Sequence, residues 1–306
     1  MTTYLIETFD LTMYYGQRRG IEGVNLQVEQ GEVFGFLGPN GAGKTTTLRT
    51  LLDVIRPTRG RATIFGLDCQ KHGVEIRRRV GYIPGELNLY GHMTGRQYLD
   101  LVASLRGDNN HAYRQSLCER LDLDTSRPIK NYSRGNKQKV GIVAAFMGQP
   151  DLLILDEPTT GLDPLVQQTV MQLVREAQAD GRTVFFSSHI LPEVQAVCQR
   201  VGIIREGRLV TMASVETLTK QQFHRIRFTF DQIPPVGAFV LPGVEEKGRD
   251  DGVILLEVHD HLAQVMTAAA TYHIRDIETL PITLEEVFLT YYGEGVNSNT
   301  PLAANP

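Results

Sequence analysis

The sequence predicts an α/β fold built on a parallel sheet, and three features of the chain support this prediction. The segments 33–37 and 152–155 contain no polar side chain, which is typical of strands buried on both faces of a sheet. The first segment runs into the glycine-rich segment 38–45, and a stretch with helical spacing of leucines follows from Thr46 to Leu52. This order of strand, glycine loop and helix predicts a phosphate-binding loop.

The glycine-rich segment contains the groups that a polyphosphate requires. Glycines let backbone N–H groups approach phosphate oxygens, and the N-terminus of the following helix adds partial positive charge. Lys44 supplies a full charge for the β- and γ-phosphates, and the Thr45 hydroxyl is a candidate ligand for Mg²⁺. The alternative is a glycine turn with an exposed lysine, which the flanking strand and helix disfavour. The predicted nucleotide-binding residues here are Gly38, Pro39, Asn40, Gly41, Ala42, Gly43, Lys44, Thr45 and Thr46.

A pair of acidic residues follows the second apolar segment. Asp156 and Glu157 come directly after Leu155, at the carboxyl end of the predicted strand, where open α/β sheets bind ligands. Asp156 is placed to hold Mg²⁺, and Glu157 points the other way, where it can orient or deprotonate a water in line with the γ-phosphate. The alternative interpretation is that the two acids only end a strand before a turn at Pro158. The neighbouring phosphate loop favours the catalytic interpretation.

A third predicted strand, 183–186, also ends in polar residues. His189 follows it after two serines, and a histidine there can form a hydrogen bond with the γ-phosphate and respond to its hydrolysis. A lone histidine is more often a satisfied polar residue, but the repeated placement at strand ends favours a functional role.

A helix is predicted to begin after Ser133, which is a good N-cap. The Ser133 hydroxyl and the Gly135 N–H group can bind a phosphate, but local evidence alone favours a simple helix cap. Another helix is predicted to begin at Pro164, with Asp163 as its N-cap and Gly181 beyond its end.

Taken together, these segments resemble the nucleotide-binding subunit of an ABC transporter. The match covers about residues 4–220 and implies ATP as nucleotide, ATP hydrolysis, and a P-loop NTPase core with an antiparallel β subdomain and a helical subdomain at about 86–135. Tyr15 matches the aromatic residue that stacks on adenine. The motifs match in order: Walker A at 38–45, the signature at 132–137, Walker B at 152–157, the D-loop at 160–163 and the switch histidine at His189.

The resemblance also implies partners. Two such domains pair head to tail, so that the signature residues Ser133, Arg134, Gly135 and Asn136 of one copy complete the ATP site around Lys44 of the other, next to the D-loop residue Asp163. We therefore expect a homodimer. The family further implies a separate multi-span membrane permease, a cytoplasmic location at the inner face of the cell membrane, and no nucleic acid partner.

Two motifs depart from the common family pattern. In the signature, Tyr132, Arg134 and Asn136 replace the usual Leu, Gly and Gln, which resembles ATPases of bacterial ABC-2-type exporters. In the Q-loop region, Gly85 stands where a glutamine normally contacts Mg²⁺ and the attacking water, and Glu86 is adjacent. From this departure we expect slow basal hydrolysis and a strong dependence on the partner.

Composition limits the remaining alternatives. The chain has 306 residues and a net charge of −4, so its bulk charge does not favour nucleic acid or membrane-surface binding. Cys69, Cys118 and Cys198 have no metal-ligand spacing and predict a reducing compartment. No apolar run approaches the roughly 20 residues of a membrane helix, so a transport role requires separate membrane subunits.

The competing functions are a soluble ABC ATPase acting on ribosomes or DNA, and a P-loop kinase, but the single cassette and the signature disfavour both.

A small α+β domain is predicted from 221 to 292, followed by a disordered tail at 293–306. Strands are predicted at Arg225–Phe230 and Val253–Val258, and helices at Leu262–Ala270 and Leu284–Tyr292. The domain resembles the C-terminal extension of ABC-2-type ATPases. His259 and His261 lie two residues apart and can share a strand face, but without further ligands two surface histidines are favoured over a metal site.

Overall fold

The computed structural model describes residues 3–108, 110–220 and 224–280, and the chain divides into two compact units between Ser214 and Val215. The predicted boundary at residue 220 therefore lies too late, because the short helix α8 (Val215–Lys220) belongs to the second unit. The predicted helix Leu284–Tyr292 and the predicted tail 293–306 lie outside the described residues.

An antiparallel sheet occupies the beginning of the first unit, as the family resemblance implied. Its strand order is β2-β1-β5-β6, and β3 pairs with β1. The hairpin between β1 and β2 carries Tyr15 at its end. The five strands are β1 (Tyr4–Tyr15), β2 (Arg18–Val24), β3 (Gln27–Glu29), β5 (Arg59–Ile64) and β6 (Leu67–Asp68).

A six-stranded sheet forms the centre of the first unit, with the order β11-β10-β4-β9-β8-β7. Its strands pair in parallel except for β11, which closes one edge antiparallel to β10. Every residue of β4, β8 and β9 is buried, which explains the apolar run in each of them, although β9 also contains Thr183, Ser187 and Ser188. The strands are β4 (Val33–Leu37), β7 (Val80–Ile83), β8 (Leu152–Asp156), β9 (Thr183–Ser188), β10 (Arg200–Arg205) and β11 (Arg208–Ser214).

Helices follow the strands of this sheet, and local capping explains where several of them begin. The Asp163 side chain accepts a hydrogen bond from the Val166 N–H at 3.1 Å, and Pro164 is the first residue of α6, as predicted. Gly181 has a φ of +81° just past the end of this helix. Helices of the unit are α1 (Lys44–Leu51), α2 (Gly73–Arg78), α3 (Gly95–Arg106), α4 (His111–Arg120), α5 (Arg134–Phe146), α6 (Pro164–Ala179) and α7 (Leu191–Val197).

The predicted helical region at 86–135 contains α3 and α4, but its first residues, 86–94, form no helix. Helix α3 begins only after Thr94, which forms a reciprocal capping box with Gln97. Gly107 ends α3 in a left-handed conformation, which produces the predicted break before α4.

The second unit contains an antiparallel sheet with the order β13-β14-β12-β15 and the helix α9 (Leu262–Ala270). Its strands are β12 (His224–Phe230), β13 (Val244–Asp250), β14 (Val253–Val258) and β15 (Ile274–Leu280). The core includes the stacked rings of Phe228, Phe230 and Phe239. The sequence predicted β12, β14 and α9, whereas it missed β13 and β15. Both are edge strands, and their largely charged, exposed residues lack an apolar alternation.

The two histidines considered as a metal pair do not share a strand face. Strand β14 ends at Val258, so His259 and His261 lie beyond it, and His261 precedes α9 in a left-handed conformation. Within the described ranges, no group of three His, Cys, Asp or Glu side chains is arranged to hold a metal ion. The same ranges contain no helix with the length and apolar character needed to cross a bilayer.

Gly81 in β7 is required by close packing. An ideal Cβ atom at this position would lie 2.2 Å from the Ala145 carbonyl oxygen and 2.7 Å from Leu153 Cδ2. Because a backbone atom cannot be displaced cheaply, Gly81→Ala is expected to lower the free energy of unfolding by about 1–3 kcal/mol, the usual cost of overpacking. Chemical denaturation measures this change. Gly148→Ala is the control, since its nearest neighbour would be 3.9 Å away, and equal stability of both variants would contradict the packing.

Candidate nucleotide-hydrolysis site

The glycine-rich loop connects β4 to α1, and glycine is required at its last position. Gly43 adopts a φ of 111°, and an ideal Cβ atom there would lie 2.9 Å from the Gly20 carbonyl oxygen. The Thr47 N–H donates to the Gly43 carbonyl at 2.9 Å, so the N–H groups of Lys44, Thr45 and Thr46 precede the first intrahelical hydrogen bond. The helix begins two residues earlier than the sequence predicted, and its first turn is suited to bind an anion.

Lys44 folds back over this loop. Its Nζ atom donates hydrogen bonds to the Gly38 carbonyl at 2.5 Å and to the Pro39 carbonyl at 3.3 Å. The side chain is only 6% exposed, and its nearest carboxylate oxygen is Oε1 of Glu157 at 3.3 Å. The ammonium group therefore lies between the loop and the acidic pair.

Asp156 ends β8 and is fully buried. Its Oδ2 accepts a hydrogen bond from Thr45 Oγ1 at 2.8 Å, and its Oδ1 accepts one from Ser187 Oγ at 3.0 Å. Burial raises the pKa of Asp156, while the two hydroxyl donors act in the opposite direction. The structure thus brings both predicted metal ligands, Thr45 and Asp156, into direct contact.

Glu157 has a φ of +53°, which is unusual for a residue other than glycine and frequent at functional sites. Its Oε2 atom lies 2.6 Å from Nδ1 of His189. Its Oε1 atom is buried and makes no hydrogen bond, although Lys44 Nζ is 3.3 Å away. One oxygen is therefore held by the histidine, while the other has a free acceptor position beside a cation.

Two residues that sequence analysis missed support this site. Glu193, in the first turn of α7, accepts hydrogen bonds from Thr159 at 2.9 Å and from Ser188 at 3.2 Å, and burial raises its pKa. Gln138 of α5 donates to the Pro158 carbonyl at 2.9 Å. Gln138 thus holds the backbone just after Glu157, and Glu193 holds the hydroxyl groups of Thr159 and Ser188. No local pattern identifies them, because each acts on a segment distant in sequence.

Tyr15 lies at the other end of the same depression. An ideal Cβ atom at Gly20 would be 3.0 Å from both the Tyr15 ring and the Thr46 methyl group, so these two side chains flank Gly20. A cavity of about 380 Å³ connects this end to the acidic pair. It is lined by Tyr15, Arg18, Arg19, Gly20, Pro39, Asn40, Gly41, Gly43, Lys44, Thr45, Thr46, Arg49, Asp156 and Glu157.

The predicted signature residues do not line this cavity. Ser133 caps α5 by accepting a hydrogen bond from the Asn136 N–H at 3.2 Å, and both Ser133 and Arg134 are exposed. Gly135 lies against the D-loop, where its Cβ would be 3.0 Å from the Gly161 carbonyl oxygen. Asp163 caps α6. Within one chain, these residues are therefore separate from Lys44, and their predicted role in a nucleotide site stays a prediction.

The Q-loop residue Gly85 lies beside Asp156. An ideal Cβ atom at this position would be 3.1 Å from Asp156 Oδ2, so any side chain here would point at the carboxylate. Glu86 is exposed and does not line the cavity. A side chain at position 85 would therefore lie in close contact with the Asp156 carboxylate.

The parallel sheet, the phosphate-binding loop and the acidic pair define a P-loop nucleoside triphosphatase. The family model described as ABC transporter matches residues 21–160. The bacitracin transport ATP-binding protein BcrA of Bacillus licheniformis is 36% identical over 296 residues, which cover 94% of this chain and 95% of BcrA. The ABC transporter ATP-binding protein NatA of Bacillus subtilis is 35% identical and matches 67% of this chain and 85% of its own length.

Solved structures agree with these sequence matches. A structure described as an ATP-binding subunit of an ABC transporter has a TM-score of 0.65 and 32% identity, and the match covers 70% of this chain and 91% of that one. The chain belongs to the ABC transporter ATP-binding family, within the group of ABC-2-type subunits. It binds and hydrolyses ATP as the ATP-binding subunit of a transport system, which confirms the class predicted from the motifs.

Proposed function

We propose that the protein powers a bacterial ABC-2-type exporter by hydrolysing ATP at the inner face of the cell membrane, together with a separate multi-span permease. The observation that carries the hydrolytic part is the Glu157 carboxylate, with one oxygen held by His189 and the other buried without a hydrogen bond. A water bound to that second oxygen would lie beside the Lys44 ammonium, where the γ-phosphate is expected.

The residues present suit Mg²⁺. Thr45 Oγ1 and Asp156 Oδ2 are hard oxygen ligands that already lie 2.8 Å apart next to the phosphate loop. Mg²⁺ at this place supplies positive charge to the β- and γ-phosphate oxygens.

The proposed chemistry is the in-line attack of water on the γ-phosphorus. Glu157 Oε1 orients the water and takes up its proton as the bond from phosphorus to the β,γ-bridging oxygen breaks and ADP leaves. His189 holds the carboxylate in place through Oε2. Lys44 stabilises the negative charge on the phosphate oxygens.

The exposed signature residues support a role for a second copy of the chain. Ser133 and Arg134 are accessible at the start of α5, outside the cavity that holds Lys44. In the proposed cycle, these residues of one copy contact the nucleotide bound by the other. ATP then closes a homodimer, and release of ADP and phosphate opens it again.

The partner assignment is tested by affinity purification of Glu157→Gln protein with ATP from detergent-solubilised membranes, followed by mass spectrometry. We expect a multi-span membrane protein to be recovered, and its identity to narrow the exported compound. The relative BcrA is named for bacitracin transport, so a compound of that kind is our first candidate for the exported molecule. Recovery of ribosomal or DNA-bound proteins without a membrane partner would refute the exporter assignment.

Gly85→Gln is expected to raise the basal ATPase rate by about tenfold. The new side chain would point toward Asp156 and could hold the attacking water with one further hydrogen bond, worth about 1–1.5 kcal/mol. Steady-state phosphate release measures the change. Gly91→Gln is the matched control, because position 91 faces the Lys130 side chain at 3.4 Å instead of Asp156. Unchanged hydrolysis and transport in Gly85→Gln would show that this departure has no role.

A further inference from the structure

Four cationic residues line the nucleotide cavity, and two of them, Lys44 and Arg19, form ion pairs within the chain. Lys44 contacts Glu157 and two loop carbonyls. Arg19 lies 3.5 Å from Glu22 and 3.6 Å from Glu206. Arg49 lies on α1 and, within the described residues, forms no ion pair or side-chain hydrogen bond. Among the residues that the structure describes, none forms an ion pair or side-chain hydrogen bond with Arg18.

Arg18 lies directly opposite Tyr15. The two residues face each other across the β1–β2 hairpin, at its last paired position. Residues directly opposite in an antiparallel pair point to the same face of the sheet, with Cβ atoms about 5 Å apart. Arg19 pairs with Tyr14 and therefore points to the other face. The Arg18 side chain thus leaves the hairpin on the same face as the Tyr15 ring, on which the base is proposed to stack.

The order of groups along the cavity places the nucleotide. A base on Tyr15 and phosphates at Lys44 require the ribose and the α-phosphate to pass over Gly20 and Thr46, which adjoin the Tyr15 ring. A guanidinium has only donors and pairs most strongly with anions. The only anionic group near the base end of a nucleotide is the α-phosphate. The geometry points to Arg18 as a nucleotide-binding residue that contacts the α-phosphate, a role that rests on the proposed ATP site.

This role has a distinct consequence. ATP and ADP share the α-phosphate, so Arg18 contributes equally to binding of substrate and of product. Lys44, in contrast, acts on phosphates that differ between the two nucleotides. Loss of Arg18 therefore raises the dissociation constants of ATP and ADP by the same factor and leaves the ratio of the two constants unchanged.

The test is calorimetric titration of Arg18→Ala protein with ATP and with ADP. We expect both dissociation constants to rise about tenfold, as is usual for one charge-assisted hydrogen bond, and the increase to shrink at high salt. Arg18→Lys should recover part of the affinity and Arg18→Gln should not. Arg56→Ala is the control for net charge, since Arg56 is 78% exposed and pairs only with Asp53, outside the cavity.

The α-thio analogues of ATP identify the contacted group. Sulfur in place of one non-bridging α-oxygen weakens that acceptor, so for one of the two diastereomers the affinity penalty should be smaller in Arg18→Ala than in the parent protein. The α-phosphate contact would be refuted if each diastereomer lost as much affinity in Arg18→Ala as in the parent protein. It would also be refuted if Arg18→Ala bound ATP and ADP as tightly as the parent protein does. If Lys44→Met abolishes ATP binding while Arg18→Ala does not affect it, only this inference fails. A parent protein that binds no ATP would refute the nucleotide site as well.

Discussion

Replacing Glu157 by Gln is expected to lower the rate of ATP hydrolysis at least about a hundredfold, while ATP binding is retained. The amide keeps the size of the carboxyl group and can still contact Nδ1 of His189. It cannot take up the proton of the attacking water, and the remaining steps depend on that transfer. Because the Lys44 ammonium loses its opposing carboxylate at 3.3 Å, ATP is also held more tightly.

Two measurements check this prediction. Steady-state phosphate release gives the hydrolysis rate, and size-exclusion chromatography with ATP shows whether the variant accumulates as a closed dimer. Glu75→Gln is the matched control, because Glu75 also lies next to a histidine, His72 at 3.7 Å, but on the exposed helix α2. A Glu157→Gln protein that hydrolyses ATP at the parent rate would show that Glu157 is not the catalytic residue.

Replacing Lys44 by Met is expected to weaken ATP binding by at least about a hundredfold, the effect of losing two or more charge-assisted hydrogen bonds. The methionine fills the space of the buried lysine stem, so the loop keeps its packing. The Glu157 carboxylate then has no cation beside it and repels the triphosphate. The loss of the lysine contacts and the repulsion by Glu157 both weaken the binding of ATP.

Thermal unfolding with and without ATP and Mg²⁺ measures this effect, since a ligand that binds only the folded state raises its stability. We expect the parent to gain stability with nucleotide and the Lys44→Met variant to gain almost none. Its melting temperature without nucleotide shows whether it folds. Lys71→Met on the surface is the control. An undiminished shift in Lys44→Met would exclude Lys44 from the phosphate site.

Local chemistry explains what the sequence predicted well. The apolar runs of β4 and β8, and the shorter one within β9, reflect burial on both faces of the sheet, and each lies where it was expected. The caps at Asp163 and Ser133 accept hydrogen bonds from backbone N–H groups of their own helices, so they can be predicted without knowledge of the rest of the fold. The sequence did not predict β13 and β15, because these edge strands form by pairing with a neighbour and lack an alternation of apolar residues.

Long-range packing decided the contacts within the site. The sequence placed Asp156 and His189 at the ends of two strands, but it did not order those strands. Strand β9 lies between β4 and β8, so that Ser187 reaches Asp156 and His189 reaches Glu157. The left-handed backbone at Glu157 and the support from Glu193 also depend on this arrangement.

The sequence by itself determined the phosphate loop, the acidic pair, the buried strands and the family, because each depends on neighbours within a few residues or on the spacing of motifs. Only the tertiary structure decided which Glu157 oxygen is free to bind a water, that Gly85 lies against Asp156, and that Arg18 lies opposite Tyr15 with no ion pair among the described residues. These features depend on distances between segments that the chain brings together only when its sheets form. A pattern of residue types specifies which elements form, whereas packing specifies which atoms meet.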